Sequence, residues 1–432
     1  MGKDGLDLVM EQMDSLVNWE RRDRSGGMDR NLEPIKDLLQ RLENPERSWR
    51  GVLVAGTKGK GSVCALLGAG LERAGLSVGI YASPHVQRVT ERVRIDGQEV
   101  QRGELAGALE EALAARAALG SEGAPGGEAT WFDLMTTAAF LLFRKKEVDW
   151  GVIEAGIGGR LDSTRALDAV LSVVTNVELE HTATLGSDRG QIAFEKGSVV
   201  AEDGVLLTGI QPDDEEPFGQ FVELAERAQA RLVSVPQRGS LWERNLALAE
   251  AALNELGRSG FTSADGEALW RSFLDREAME RARLPARMER FSIRGVPVVL
   301  DSGHVAESAK LVLEELERAP ELGRKPKLIL ALGAEKDAPA VLEAFLGHVD
   351  RLLCTTAPEG RLLGEQDLAQ AAFDAGHDPE AWKDAREALG EAVADAEEGG
   401  GWVLVFGSFY LSSVLREGLL EASAKNPHSP EC

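Results

Sequence analysis

Residues 56–62 read Gly-Thr-Lys-Gly-Lys-Gly-Ser, directly after the apolar run Val52–Ala55. Glycine lets successive backbone N–H groups turn toward one ligand, and a helix opening just beyond adds its positive end. That is phosphate chemistry. Gly56, Thr57, Gly59 and Gly61 form the cradle, Lys60 offsets phosphate charge, and the Ser62 hydroxyl reaches a Mg2+ ion. The spacing is a variant of the common phosphate loop, because Gly61 separates Lys60 from Ser62. The competing reading is a glycine-rich turn of a dinucleotide fold with Lys60 merely solvated. The order strand, loop, lysine, serine, helix favours the phosphate loop, and Lys60 is expected to face solvent while the loop is empty.

Three more positions suit the same chemistry. Glu154 ends the apolar run Val148–Glu154 and opens the segment EAGIGGRLDST. A carboxylate at a strand's carboxyl end lies where parallel α/β sheets bind ligands, and it suits Mg2+. Glu180 and His181 follow the run Val170–Asn176, and Lys196 sits in the apolar stretch IAFEKGSVV. Taken singly, each has an ordinary explanation: a strand-end acid, a capping histidine, a snorkelling lysine.

The elements that must position these residues alternate in type. Strand-like runs Val52–Ala55, Val78–Tyr81, Val148–Glu154 and Val170–Asn176 are interleaved with helical patterns at Ser62–Ala74 and Asp133–Arg144. This is the pattern of a parallel sheet covered by helices. Gly120–Gly127 reads as a flexible loop and Gln211–Pro217 as an acidic turn. A boundary is expected within Arg283–Phe291, after which strands near Val296–Asp301, Lys327–Leu332, Arg351–Thr355 and Trp402–Phe406 begin a fresh series. The fold class is α/β: a mostly parallel, P-loop-type sheet domain over residues 1–286, then a smaller Rossmann-like α/β domain over 287–432.

Composition narrows the function classes. The 432 residues carry 48 Lys+Arg and 72 Asp+Glu, a formal charge of −24, which disfavours a general nucleic-acid binder. Hydrophobic residues at 43% support real cores. Three cysteines, Cys64, Cys354 and Cys432, are too few for a disulfide framework and fit a reducing cytoplasm. The first residues lack a signal-peptide or myristoylation pattern, the last residue makes no prenylation box, and no apolar run reaches membrane-spanning length. A soluble, cytoplasmic monomer without membrane or nucleic-acid partner is expected.

Taken together, these segments resemble the folylpolyglutamate synthase/dihydrofolate synthase family of the Mur ligase superfamily, from about Asn31 to Arg416. GTKGKGSV is similar to the family's phosphate loop, with Lys58 where Asn is usual. SPHVQRVTERVRIDG resembles its folate-side loop, and TWFDLMTTAAF a further family segment with Asp133 for Glu. EHTATLG…IAFEKGS matches its Asp-His…Glu-Lys pattern, with Glu180 for Asp. LPARMERF and GSFYLSSVLR complete the series, whereas DSGHVAES keeps Asp301 and His304 but has Val305-Ala306 for Asn-Pro.

The resemblance implies an ATP-dependent ligase that adds L-glutamate to dihydropteroate or a folate through an acyl phosphate. By this resemblance Lys60 and the loop glycines hold ATP, and Ser62 and Glu154 hold one Mg2+. Glu154, His181 and a carbamylated Lys196 hold a second. Asn245, Arg287, Asp301 and His304 resemble ATP-binding positions. Ser83, His85, Arg88, Arg92 and Phe132 are candidates for the folate side. A ligase acting on another carboxylate is one alternative, which the absence of a UDP-binding domain ahead of Val52 counts against. A nucleotide-binding protein without ligase activity is the other.

Overall fold

The computed structural model describes residues 4–18, 31–319 and 322–424; Cys432 lies outside them. The chain forms two compact units that divide between Ala282 and Arg283. Both are α/β units, the class expected from the alternation of apolar runs.

The first unit carries eight strands: β1 Arg50–Ala55, β2 Val78–Tyr81, β3 Val93–Ile95, β4 Gln98–Glu99, β5 Trp150–Glu154, β6 Leu171–Val174, β7 Val205–Thr208 and β8 Arg231–Ser234. Their order in the sheet is β4-β3-β2-β5-β1-β6-β7-β8. Pairing is parallel from β2 to β8, while β3 and β4 add an antiparallel edge. Strands β1, β5 and β6 are buried along nearly their whole length because helices cover both faces, which is why they read as continuous apolar runs. The chain leaves β1 toward β2, returns through β5, then crosses to β6 on the other side. That reversal makes the carboxyl end of β1 a topological switch point, the usual ligand crevice of such sheets.

Local chemistry sets the elements around this point. The helix Lys60–Arg73 starts at Gly59, whose φ of +82° is a left-handed conformation that glycine adopts without strain. The helix Trp131–Lys145 starts at Thr130, whose hydroxyl and N–H engage Asp133 in a capping box. Asp133 also accepts a bond from the Ser163 hydroxyl at 2.6 Å, tying this helix to the segment after β5. The core is rich in aromatics: Trp49 meets Phe140 and Phe143 edge-on at 5.3 and 5.4 Å.

The second unit has six strands: β9 Glu289–Ile293, β10 Val296–Asp301, β11 Lys327–Leu330, β12 Arg351–Cys354, β13 Pro379–Ala381 and β14 Val403–Phe406. The order is β13-β12-β11-β14-β10-β9, parallel except for β9 against β10. Strands β10 and β14 lie side by side, with Asp301 opposite Phe406, so the loops after them share one edge of the sheet.

Two local expectations differ from the structure. Gly120–Gly127 is not one flexible loop. The helix Arg102–Glu122 runs through its first three residues, and a 3-10 turn takes Pro125–Glu128. Gly126 is buried and donates its N–H to Asp37 at 2.7 Å, a tertiary contact that composition does not reveal. Likewise Gln211–Pro217 is a turn only in its first part, because a helix begins at Glu215.

Candidate active site

The phosphate loop is held from one side by the segment after β6. Thr57 and Lys58 donate their N–H groups to the Asn176 side-chain oxygen at 3.2 and 2.9 Å. The Lys58 carbonyl accepts from the Thr175 hydroxyl at 2.6 Å and from the Asn176 amide at 3.2 Å. The Thr57 hydroxyl accepts from Glu178 N–H at 3.0 Å. Close approach explains two of the glycines. A Cβ on Gly56, where φ is +140°, would stand 1.9 Å from the Thr175 hydroxyl, and one on Gly59 would stand 2.2 Å from the Asn245 side-chain oxygen. Asn245, buried on the helix Leu241–Arg258, therefore lies against the loop.

Lys60 does not face solvent freely. Its ammonium donates back to the carbonyls of Gly56 and Thr57 at 3.1 and 3.4 Å.

Glu154 is 5% exposed at the end of β5, opposite Val54 in the register, and accepts from Ser83 N–H at 3.1 Å. Glu154 thus ties the Ser83–Gly97 segment to the end of β5, beside the strand that enters residues 56–62. Lys196 is 3% exposed and donates to the Gly56 carbonyl at 2.8 Å. Burial, reinforced by the nearby Lys60 and Lys58 charges and opposed by Glu180 and Asp162, lowers its pKa to about 7. Glu180 shows the reverse balance. Burial would raise its pKa, but Lys58, Lys60, His181 and Lys196 together draw it down to about 2. Lys58 Nζ lies 3.2 Å from Glu180 Oε1. His181, next in the chain, has a left-handed φ of +53° and begins the short helix Thr182–Leu185.

A divalent ion fits this set in part. Ser62 and Glu154 offer the hard oxygen donors that Mg2+ prefers, and Mg2+ completes its shell with water and substrate phosphate rather than a protein cage. No cluster of three or more His, Cys, Asp or Glu side chains forms such a cage among the described residues. Lys196 as an ammonium repels a cation; only its carbamate would ligate one.

The folate-side candidates divide. His85 and Arg92 come together, with Arg92 Nε donating to His85 Nδ1 at 2.9 Å while its guanidinium lies 4.9 Å over the Trp131 ring. Arg92 is 2% exposed, and Arg88 pairs with Glu99 at 2.9 Å. Phe132 is 8% exposed and belongs to the core, 6.0 Å from the Tyr81 ring and close against Gly156.

On the second unit, Arg287, Asp301 and His304 converge. Asp301 accepts from Met288 and Gly303 N–H at 2.9 and 2.7 Å. Arg287 donates to the Ser302 hydroxyl at 2.8 Å, and His304 Nδ1 meets the Ser302 carbonyl at 3.1 Å. The Phe409 ring lies 4.9 Å from the Arg287 guanidinium and 6.0 Å from the His304 ring. Ser302 and Phe409, like Thr175 and Asn176, escaped the sequence reading as separate site residues. Thr175 and Asn176 carried a usable signal, as polar residues ending a strand beside the one that enters the phosphate loop.

Comparison with known proteins identifies relatives that span most of the chain. Residues 286–409 match the Mur ligase, glutamate ligase domain family. The dihydrofolate synthase/folylpolyglutamate synthase of Escherichia coli K12 is 30% identical over 409 residues, 89% of this chain and 90% of that one. The structure of E. coli FolC in complex with DHPP and ADP superposes with a TM-score of 0.79, at 25% identity, over 97% of this chain and 99% of that one. A bifunctional folylpolyglutamate synthase/dihydrofolate synthase with Mn, AMPPNP and L-glutamate bound gives a TM-score of 0.77, at 26% identity, over 96% and 98%. With a relative 30% identical over 89% of this chain and 90% of that one, the chain belongs to the folylpolyglutamate synthase/dihydrofolate synthase family.

Proposed function

We propose that the protein is an ATP-dependent ligase that joins L-glutamate to dihydropteroate, a reduced folate or both, forming ADP and phosphate. The observation that carries this reading is the assembly at the carboxyl end of β1. There Lys60 and Lys196 both donate to the Gly56 carbonyl of the loop, and β5, paired with β1, ends at Glu154, to which Ser83 of the folate-side loop is bonded. A carboxylate is a poor electrophile. Its attack on the γ-phosphorus of ATP gives an acyl phosphate, which the glutamate amine then opens with loss of phosphate. Two anions must meet in the first step, so charge neutralisation is the main task of the site.

The chain's residues divide that task. N–H groups at the start of the helix Lys60–Arg73 lack acceptors within the helix and receive phosphate oxygens. Lys60 exchanges two carbonyl partners for phosphate. Ser62 and Glu154 would hold one Mg2+, and Glu154, His181 and a carbamylated Lys196 a second; bound there, the ions offset phosphate charge. Lys196 suits carbamylation because its amine is buried and loses its proton near neutrality. The Asn245 side chain lies against Gly59 of the loop, and Arg287, Asp301 and His304 are, by the family resemblance, candidates for nucleotide binding. Within the folate-side loop, Arg92 and Arg88 are held by His85, Trp131 and Glu99, so they shape the loop as well as lend it charge. No helix among the described residues is long and apolar enough to cross a membrane; action as a monomer in the cytoplasm remains part of the proposal.

The test is a substrate panel with purified protein, Mg·ATP and L-glutamate. Dihydropteroate or a reduced folate should gain one glutamyl residue in mass, with one ADP released per bond. ADP release with a UDP-linked muramyl acid but with neither pterin acid would leave the family assignment and remove the folate one.

A further inference from the structure

The segment from Thr175 to His181 is laid along the phosphate loop and fastened to it at successive points. Thr175 and Asn176 bond the Lys58 carbonyl, Asn176 also receives the Lys58 N–H, and Glu178 N–H reaches the Thr57 hydroxyl. The last fastening is the pair Lys58 Nζ–Glu180 Oε1 at 3.2 Å. Lys58 therefore grips this segment twice, by backbone at its start and by side chain at its end. Both side chains are less than one-fifth exposed, at 18% and 19%, so water screens the pair weakly. Glu180 immediately precedes His181, whose left-handed backbone is a costly conformation for a non-glycine residue and must be held by its surroundings.

We propose that Lys58 and Glu180 act as one clasp that positions His181 over the phosphate loop, and that the clasp sets affinity at the metal position His181 serves. Neither residue need touch substrate; both are positioning residues. Lys58 also gains a role distinct from that of Lys60. Its charge is spent on Glu180, leaving Lys60 as the cation for phosphate. The proposal rests on the reading of residues 56–62 as the phosphate loop and of His181 as a metal ligand.

The test measures Mn2+ binding to the full chain by electron paramagnetic resonance, with a non-hydrolysable ATP analogue present, and nucleotide affinity separately by calorimetry. The variants are Lys58→Met, Glu180→Gln, the exchange Lys58→Glu with Glu180→Lys, and His181→Ala alone and combined with Glu180→Gln. The wild type should bind two Mn2+ ions per nucleotide complex. Each single clasp change should weaken the second ion about tenfold, within the range expected when one partner of a coupled pair is removed. Nucleotide affinity should stay within about threefold, as expected for a side chain that does not reach the phosphates. The exchanged pair should recover most of the loss. In the His181→Ala background, Glu180→Gln should cost nothing further, because its route runs through the missing imidazole.

Unchanged Mn2+ affinity in both single variants overturns the proposal, as does an equal loss with and without His181. Melting temperatures measured alongside show whether a weakened variant is still folded; if Glu180→Gln is not, the exchanged pair decides alone, and its failure to bind the second ion counts against the clasp. If the wild type itself binds no nucleotide, the phosphate-loop reading fails first, and that result is distinct from failure of the clasp.

Discussion

Lys196 supports the most quantitative prediction. Its ammonium is buried against the Gly56 carbonyl, and burial with the neighbouring Lys60 and Lys58 charges lowers its pKa to about 7. Near pH 7.5 about three-quarters of the side chain is then the neutral amine, against about one in a thousand for an ordinary lysine. Only the neutral amine attacks CO2, so the site starts with an advantage of several hundredfold in reactive species. The product replaces a cation by an anion with two oxygens, which the surrounding lysines favour and a hard cation can bind. Protein equilibrated with 13C-bicarbonate should therefore show a carbamate carbon signal that Lys196→Ala lacks. The signal should grow as pH rises through about 7, the folded-state value, and not near 10. Lys60→Ala should move that midpoint upward, since it removes a charge that depresses Lys196. Turnover should fall in CO2-depleted buffer, and short carboxylic acids should partly restore Lys196→Ala. Absence of any signal up to pH 9 at saturating bicarbonate, or full activity of Lys196→Ala, would refute the reasoning.

Lys60→Ala should leave the melting temperature nearly unchanged but cut turnover by about a hundredfold or more and weaken ATP, as loss of a charge-stabilising donor does; equal collapse of fold and function would point to a structural lysine instead. Gly59→Ala forces a side chain into a left-handed backbone and onto Asn245, at a cost of about 1–3 kcal/mol, and calorimetry should show lower stability together with weaker ATP binding. Lys196→Met should stabilise the ligand-free protein most below pH 7, where the native state bears a buried ammonium at full cost. Between about 7 and 10.5 the unfolded chain binds more protons than the folded one, wild-type stability rises with pH, and the advantage of the variant should shrink in denaturant titrations. Arg92→Met should raise KM for the pterin acid more than for ATP, because it releases His85 and uncovers Trp131; an equal effect on both substrates would place Arg92 in the fold rather than the site.

What could be read before the structure follows from how each feature is encoded. Strands buried on both faces are continuous apolar runs, so β2 and β10 were legible to the residue at Val78–Tyr81 and Val296–Asp301. The tight turn at residues 56–62 was legible because glycine at positions of positive φ has few substitutes. Strand β3 and the edge strands β4, β9 and β13 are short or half-exposed and lack that periodicity, so only pairing with a neighbour defines them. Gly126 is buried through Asp37, 89 positions away, and no local rule reports such a contact.

The site shows the same division between residue type and arrangement. Lys60, Glu154 and Lys196 could be named from sequence, but not that Lys196 and Lys60 share the Gly56 carbonyl, which is what makes one lysine depress the other. Lys58 and Glu180 stood out separately, 122 positions apart, as two departures from a motif. Lys58 in place of Asn adds a charge to a site already crowded with ionisable groups, while Glu180 keeps the usual carboxylate on a longer side chain. Side by side they cancel, and a cost at either position becomes a tie between the phosphate loop and His181. A charge out of place in a motif is therefore best judged by what the fold sets against it, since a part-buried ion is tolerated only with its partner.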